Sequence, residues 1–419
     1  MNIKAMGQRM VNNHFHALTH QNYRYFWFGQ CISLIGTWMQ NIGQSWLVLT
    51  LTGSPLLLGL VGSIQFLPIT CFSLFAGAII DKFPKKQILL VTQTISMILA
   101  FILAILVFTH TVQYSYVLIV AFILGLTNTF DMPTRQSFNI EIVGKEDLMN
   151  AIALNSTTFN LARILGPSIG AAMMALLGPG WCFLLNGISF IAVIYGLLQI
   201  KTTPYVRQKK KNVGIFKEIK DGMVYISQDK RLAQTLLLVT VIGTFAYNFA
   251  ILIPVFTKGV LHMEERTYGM LMSCLGVGSL IGALTVSLRS KSGPKMKVIA
   301  IASILIGVFL CITGWTTSPY LTGLFLACTG VFNILFATNC NSSLQIYSKD
   351  EYRARVMSVY SLVFAGSTPV GNLFAGYMAD RFGADGAFMA CGLLCIIPCS
   401  IILIIFRKKK TEQAELPAV

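Results

Sequence analysis

Twelve stretches of roughly 20 apolar residues follow one another along nearly the whole chain, and each is long enough to cross a bilayer as a helix. They begin near Tyr25, Pro55, Gln87, Ser115, Asn150, Trp181, Ala233, Thr267, Met296, Leu321, Val356 and Ala387. Lipid gives a peptide group no hydrogen-bond partner, so each segment must satisfy its own backbone, which a helix of this length does. The expected fold is an all-α membrane protein with twelve transmembrane helices in two pseudo-symmetric six-helix bundles. Composition agrees: 55% of the 419 residues are hydrophobic and 11% charged, against about 25% charged in a soluble domain. Residues 1–22 are polar, with His14, His16 and His20, and lack the apolar core of a signal peptide, so the first span is expected to stay and insert.

The net charge of +16 has a spatial order. With a cytoplasmic N-terminus, 28 of the 32 Lys and Arg fall on the cytoplasmic side, nine of them between Lys201 and Arg231. Lys258, Arg266 and Arg381 fall on the other side, and Arg163 lies inside a span. The positive-inside bias therefore places both termini in the cytoplasm of a cell-membrane protein. The basic clusters read as topology signals and contacts for anionic lipid. Nucleic acid is not an expected partner, because no compact basic domain with interleaved aromatics exists. All ten Cys lie in or beside apolar segments. Cys391, Cys395 and Cys399 share one helix face, but no His or carboxylate accompanies them there, and they read as small apolar filling. No metal or cofactor is expected.

The polar break at 201–232 falls at the midpoint. The expected organisation is a cytoplasmic N-terminus (1–22), a first six-helix bundle (23–200), a cytoplasmic linker (201–232), a second bundle (233–406) and a cytoplasmic tail (407–419). Within the linker, Phe216, Ile219, Met223 and Ile226 recur at helical spacing, which predicts an amphipathic surface helix. The halves echo each other. Lys145-Glu146-Asp147 recurs as Lys349-Asp350-Glu351, and Gly166, Pro167 and Gly170 as Gly366, Pro369 and Gly371, with a common shift of about 200 residues. Such a parallel duplication favours a central substrate site and rocking of two rigid bundles.

The turn after the second span reads Gly77-Ala78-Ile79-Ile80-Asp81-Lys82-Phe83-Pro84-Lys85-Lys86. Here the chain resembles the major facilitator superfamily, whose signature in this loop is a Gly, an Asp four positions on, then basic residues; Pro84 replaces the usual second Gly. The resemblance implies that Gly77, Asp81, Lys82, Lys85 and Lys86 form a cytoplasmic gate that latches the halves, while the residues alone allow that the lysines only set topology. After the eighth span Gly282 is kept but Val286 stands where the Asp would be, so the latch is one-sided. In the fifth span Arg163, Gly166, Pro167 and Gly170 resemble the Gly-Pro signature of superfamily antiporters and exporters. Pro167 removes a backbone donor, and the two glycines leave a smooth face. Gly36-Thr37-Trp38-Met39-Gln40, Phe130-Asp131-Met132-Pro133-Thr134-Arg135-Gln136-Ser137 after the fourth span, and Asn150-Ala151-Ile152-Ala153-Leu154-Asn155 look like the branch of enterobactin exporters and drug:proton antiporters.

Among sixteen acids only Asp131 is expected within a span. A buried carboxylate is costly when ionised, so Asp131 is either a proton carrier or a structural partner for Arg135 or the lysines after the second span. If the fourth span ends near Phe138, Asp131 lies roughly 10 Å deep and Arg163 nearer 20 Å, so no pairing between them is assumed. Arg163 is open to attracting an anionic substrate or bracing carbonyls. The Arg that many drug antiporters carry four residues before a Gly in the fourth helix is absent, since Ala121 precedes Gly125. Gln30, Gln40, Gln44, Asn128, Tyr247, Asn248, Asn333 and Asn339 are candidate cavity residues, open equally to interhelical hydrogen bonding.

Together with the resemblance, which supplies the direction, these features lead to the expectation of a monomeric secondary transporter that exports an amphipathic small molecule, siderophore-like or drug-like, by alternating access with proton antiport. An importer of a nutrient or lipid is the alternative, followed by a non-transport receptor. An enzyme is excluded, because all five His lie outside the spans and one acid lies within.

Overall fold

A computed structural model describes residues 16–80, 82–144, 146–201, 215–288 and 293–414, and every regular element among them is helical. After a 3-10 turn at His16–Thr19 come α1 (Gln21–Thr52), α2 (Pro55–Ile80), α3 (Lys85–Phe108), α4 (Tyr114–Val143), α5 (Leu148–Leu177) and α6 (Gly180–Gln199). Then follow α7 (Ile215–Gln228), α8 (Lys230–Phe245), α9 (Phe249–Gly259), α10 (Glu265–Leu288), α11 (Met296–Trp315), α12 (Pro319–Tyr347) and α13 (Asp350–Ala414). Ten stretches among the described residues are long and apolar enough to cross a membrane, with α8 and α9 joined in one and α13 supplying one. Two features separate this number from twelve. The α1 helix is diluted by Gln30, Gln40, Asn41 and Gln44. In α13, Gly383 adopts φ 78°, ψ 166°, a backbone conformation that side-chain-bearing residues avoid, and it divides the element into 350–382 and 384–414.

The chain forms two compact units, Met1–Leu51 with Leu67–Lys210, and Thr52–Phe66 with Lys211–Val419. The division falls inside α2, whose first half belongs with the second unit. There the Ser63 hydroxyl donates to the Pro369 carbonyl at 2.7 Å and the Ser54 hydroxyl to Asp380 at 2.9 Å. Within the first unit α3 packs against α4 and α6, and α1 lies against α6. A methyl group on Gly36 would meet the Asn186 amide oxygen at 2.5 Å, so the close approach depends on glycine. Asn186 Nδ2 then donates to Gln40 Oε1 at 2.6 Å, burying both amides as a pair.

In the second unit α10 packs on α12, and α11 and α8 pack on α13. The α7 helix docks here too. Ile226 is buried with Leu232, Leu344, Val356 and Val359, Tyr225 stacks on Tyr352 at 4.3 Å, and Asp221 pairs with Arg355 at 3.5 Å. Met223, expected on the same apolar face as Ile226, is exposed. The side chains of Phe216 and Ile219 lie outside the described residues.

Candidate functional site

Asp131 sits in α4, 5% exposed. Its Oδ1 accepts hydrogen bonds from Thr92 Oγ1 and Gln93 Nε2 of α3, both at 2.8 Å. Its Oδ2 accepts from Arg135 Nε at 3.0 Å and from a terminal guanidinium nitrogen of the same residue. Four donor groups, two from α3 and two from Arg135, thus converge on the carboxylate. The guanidinium also lies 5.9 Å from the centroid of Phe26, close enough for a cation–π contact.

The α4 helix ends at Val143 rather than near Phe138. This corrects three expectations. Arg135 and the run from Phe130 to Ser137, placed after the fourth span, lie inside α4. Asp131 is not the only acid in a candidate span, because Glu141 falls within α4 and pairs with Lys85 at 3.4 Å. The two charged residues continue the helix because each has a counter-charge there, Arg135 in Asp131 and Glu141 in Lys85. Measured from the α4–α5 turn at about 1.5 Å per residue, Asp131 is roughly 18 Å deep and Arg163 roughly 22 Å. The expected 10 Å offset thus shrinks to about 4 Å. Asp131 is nonetheless held by Arg135, Thr92 and Gln93, while the Arg163 guanidinium stands 5.9 Å from the ring of Trp38.

Of the gate motif, Asp81 and the packing of Gly77 lie outside the described residues, and Lys82 is exposed. Lys85 is buried against Glu141. Lys86 Nζ donates to the carbonyls of Ile200 at 2.7 Å and Leu198 at 3.3 Å, where the negative end of α6 favours a cation. Both lysines thus brace α4 and α6 within the first unit. In the fifth-span motif Gly166 and Gly170 face α1: a methyl group on Gly166 would collide with Trp38 Cβ and stand 3.0 Å from the Ile35 carbonyl, and one on Gly170 would meet Ile42 and Met39. Pro167 is buried beside them.

The cavity candidates separate by partner. Gln40 is engaged by Asn186, Gln30 is buried with its amide nitrogen unpaired among the described residues, Gln44 is buried, and Asn128 is half-buried. In the second unit the seventh apolar stretch breaks between α8 and α9 at 246–248, so Tyr247 and Asn248 sit where the helix is interrupted. Asn248 Nδ2 donates to the Thr244 carbonyl at 2.8 Å, and the Tyr247 hydroxyl reaches the Asn333 carbonyl at 3.5 Å. Asn333 on α12 is 1% exposed, and neither atom of its side-chain amide has a partner among the described residues. Asn339 is satisfied by the Leu335 carbonyl and Lys295 N–H.

Sequence reasoning missed Thr92 and Gln93, although a polar pair inside the apolar run of the third span was a usable signal. It also missed the contact of His16 and His20 with Asp147, 131 and 127 residues away, at 2.7 and 2.6 Å. Hydrogen bonds from His20, then His16, hold the Asp147 carboxyl below its ordinary range.

This fold is shared with solved membrane transporters. A bacterial homologue of the human lysosomal transporter Spinster aligns with a TM-score of 0.74 at 11% identity, covering 94% of this chain and 97% of that one. The nucleoside transporter NupG aligns at 0.71 and 13%, covering 93% and 99%. The molecule is a transporter of the major facilitator type, not an enzyme. A family described as transmembrane secretion effector matches residues 12–418, and the chain belongs to that family. Similar proteins include the Staphyloferrin A transporter of Staphylococcus aureus, 27% identical over 94% of this chain and 98% of the relative. Macrolide efflux protein A of Streptococcus pyogenes is 24% identical over 90% and 94%, and the multidrug efflux pump Tap of Mycolicibacterium fortuitum is 24% identical over 91% and 95%. The resemblance read from the motifs therefore holds at the level of superfamily and efflux branch.

Proposed function

We propose that the protein is a monomeric twelve-span secondary transporter of the cell membrane that exports an amphipathic small molecule, siderophore-like or drug-like, by alternating access with proton antiport. Its bundles are 23–200 and 233–406, and its termini are cytoplasmic, as the positive-inside bias supports. Its basic loops contact anionic lipid.

The observation that carries the reading is the interrupted α8–α9 stretch beside Asn333. Transporters commonly build binding sites where a membrane helix unwinds, because the freed polar groups face a cavity rather than lipid. A buried amide without a protein partner costs about 1–3 kcal/mol, a cost that a substrate with a donor and an acceptor offsets. Relatives named as efflux proteins support the outward direction. Asp131, held by Arg135, Thr92 and Gln93, is the candidate proton carrier. The gate residues and the Arg163 to Gly170 segment serve the rearrangement, through the braced α3 end and the smooth α1–α5 contact.

The test is Asn333→Leu. Removing an unsatisfied buried amide should leave thermal stability unchanged or higher while substrate binding and transport fall. A variant that loses stability but transports normally per folded molecule would show Asn333 to be a packing residue.

A further inference from the structure

We propose that His16, His20 and Asp147 form a binding site for one divalent transition-metal ion of the Zn²⁺ class, which fastens the segment before α1 to the α4–α5 turn. Two imidazoles and a carboxylate converge there although the chain separates them by more than 120 residues. His16 Nδ1 lies 2.7 Å from Asp147 Oδ1, His20 Nε2 lies 2.6 Å from Oδ2, and the potential ligand atoms all lie within 4.8 Å of one another. The histidines are four residues apart, with the 3-10 turn between them, which brings both rings to one carboxylate.

Asp147 stands at the N-cap of α5, where an Asp side chain ordinarily accepts from the first free N–H groups. It makes no such bond. Both of its oxygens turn away from the helix toward the histidines. The backbone beneath is packed rather than loose: Ala17 is fully buried, its N–H donates to Asn150 Oδ1 at 3.0 Å, and the Tyr23 hydroxyl donates to the Ala151 carbonyl at 3.1 Å. Ala17 and Tyr23 share an apolar cluster with Val143, Ala151 and Leu154. The ligands are therefore mounted on a fixed frame.

The donor set selects the metal class. Imidazole nitrogen suits Zn²⁺ and its neighbours, whereas Mg²⁺ and Ca²⁺ favour oxygen alone. Three protein ligands leave further positions for water. Ligand atoms about 2.0–2.1 Å from a shared ion stand roughly 3.0–3.4 Å apart, so the rings must open by less than about 1 Å. The histidine side chains are 57% and 38% exposed and free to make that movement, while Asp147 at 17% is held.

The test is calorimetric titration of Zn²⁺ into the tag-free full-length protein in detergent, with Co²⁺ absorbance as a second reading. One ion per chain is expected. Because even outer-shell partners change metal affinity by about 10–100-fold, loss of either ligand His16 or His20 to Ala should weaken binding at least tenfold, and H16A/H20A should abolish it. His14→Ala should leave it unchanged. His16 is exposed and His20 half-buried, so these variants are expected to fold, and thermal unfolding without metal checks that. Absence of saturable one-to-one binding, or equal affinity in H16A/H20A, would overturn the proposal and leave a hydrogen-bonded clasp with adventitious binding only.

Discussion

Replacing Asp131 by Asn keeps the side chain's size and removes its charge, and the surrounding donors set the consequence. The Asn oxygen can still accept from Thr92 and Gln93, but its NH₂ group then faces the Arg135 guanidinium, donor against donor. Breaking a buried ion pair costs about 3–5 kcal/mol. Arg135 is 24% exposed, so partial hydration brings the expected loss to about 2–3 kcal/mol. At 1.4 kcal/mol per tenfold, that reduces the folded-to-unfolded ratio by a factor of about 30–140. The double variant D131N/R135Q removes the stranded charge and should recover stability to within about 1 kcal/mol. Transport should not recover, because the proposed proton carrier is gone. The assay pairs thermal unfolding in detergent with substrate movement in proteoliposomes under an imposed pH gradient, normalised to folded protein. Gradient-driven transport by D131N, or its return in the double variant, would refute the assignment and leave Asp131 as a structural partner of Arg135.

Other perturbations follow from the same contacts. Gly166→Leu should force α1 from α5 at Trp38 and the Ile35 carbonyl, costing about 1–3 kcal/mol by overpacking and reducing transport more than stability alone explains; unfolding and transport together measure this. Lys85→Met should strand the Glu141 carboxylate and cost about 2–3 kcal/mol, with K85M/E141L recovering most of it in a double-mutant cycle. Gly376→Leu should collide with the Pro55 carbonyl and the Gly59 backbone, lowering the unfolding temperature through the packing of α2 on residues 350–382.

Helices and their starts were legible because lipid imposes one requirement on every span, a long apolar run that bonds its own backbone. The starts near Pro55 and Met296 coincide with those of α2 and α11. Where polar residues satisfy one another, that signal fails. The α4 helix carries Arg135 and Glu141 because Asp131 and Lys85 are waiting for them, and apolarity alone ends it too soon. Asn333, Tyr247 and Asn248 were visible as polar residues in apolar runs. Their distinction from Gln40 was not, because the partner of Gln40 is Asn186, 146 residues away. His16, His20 and Asp147 meet only through the fold, and no spacing along the chain relates them.

Gradient-driven export is measured most directly with purified protein in proteoliposomes, with an imposed pH gradient and a panel of siderophores, macrolides and lipophilic cations, recording substrate and proton fluxes together. At least one substrate should move against the proton flow, and Asn333→Leu and Asp131→Asn should each abolish the coupled flux. Movement of substrate and protons in the same direction, or substrate flux unchanged when the gradient is collapsed, would contradict it.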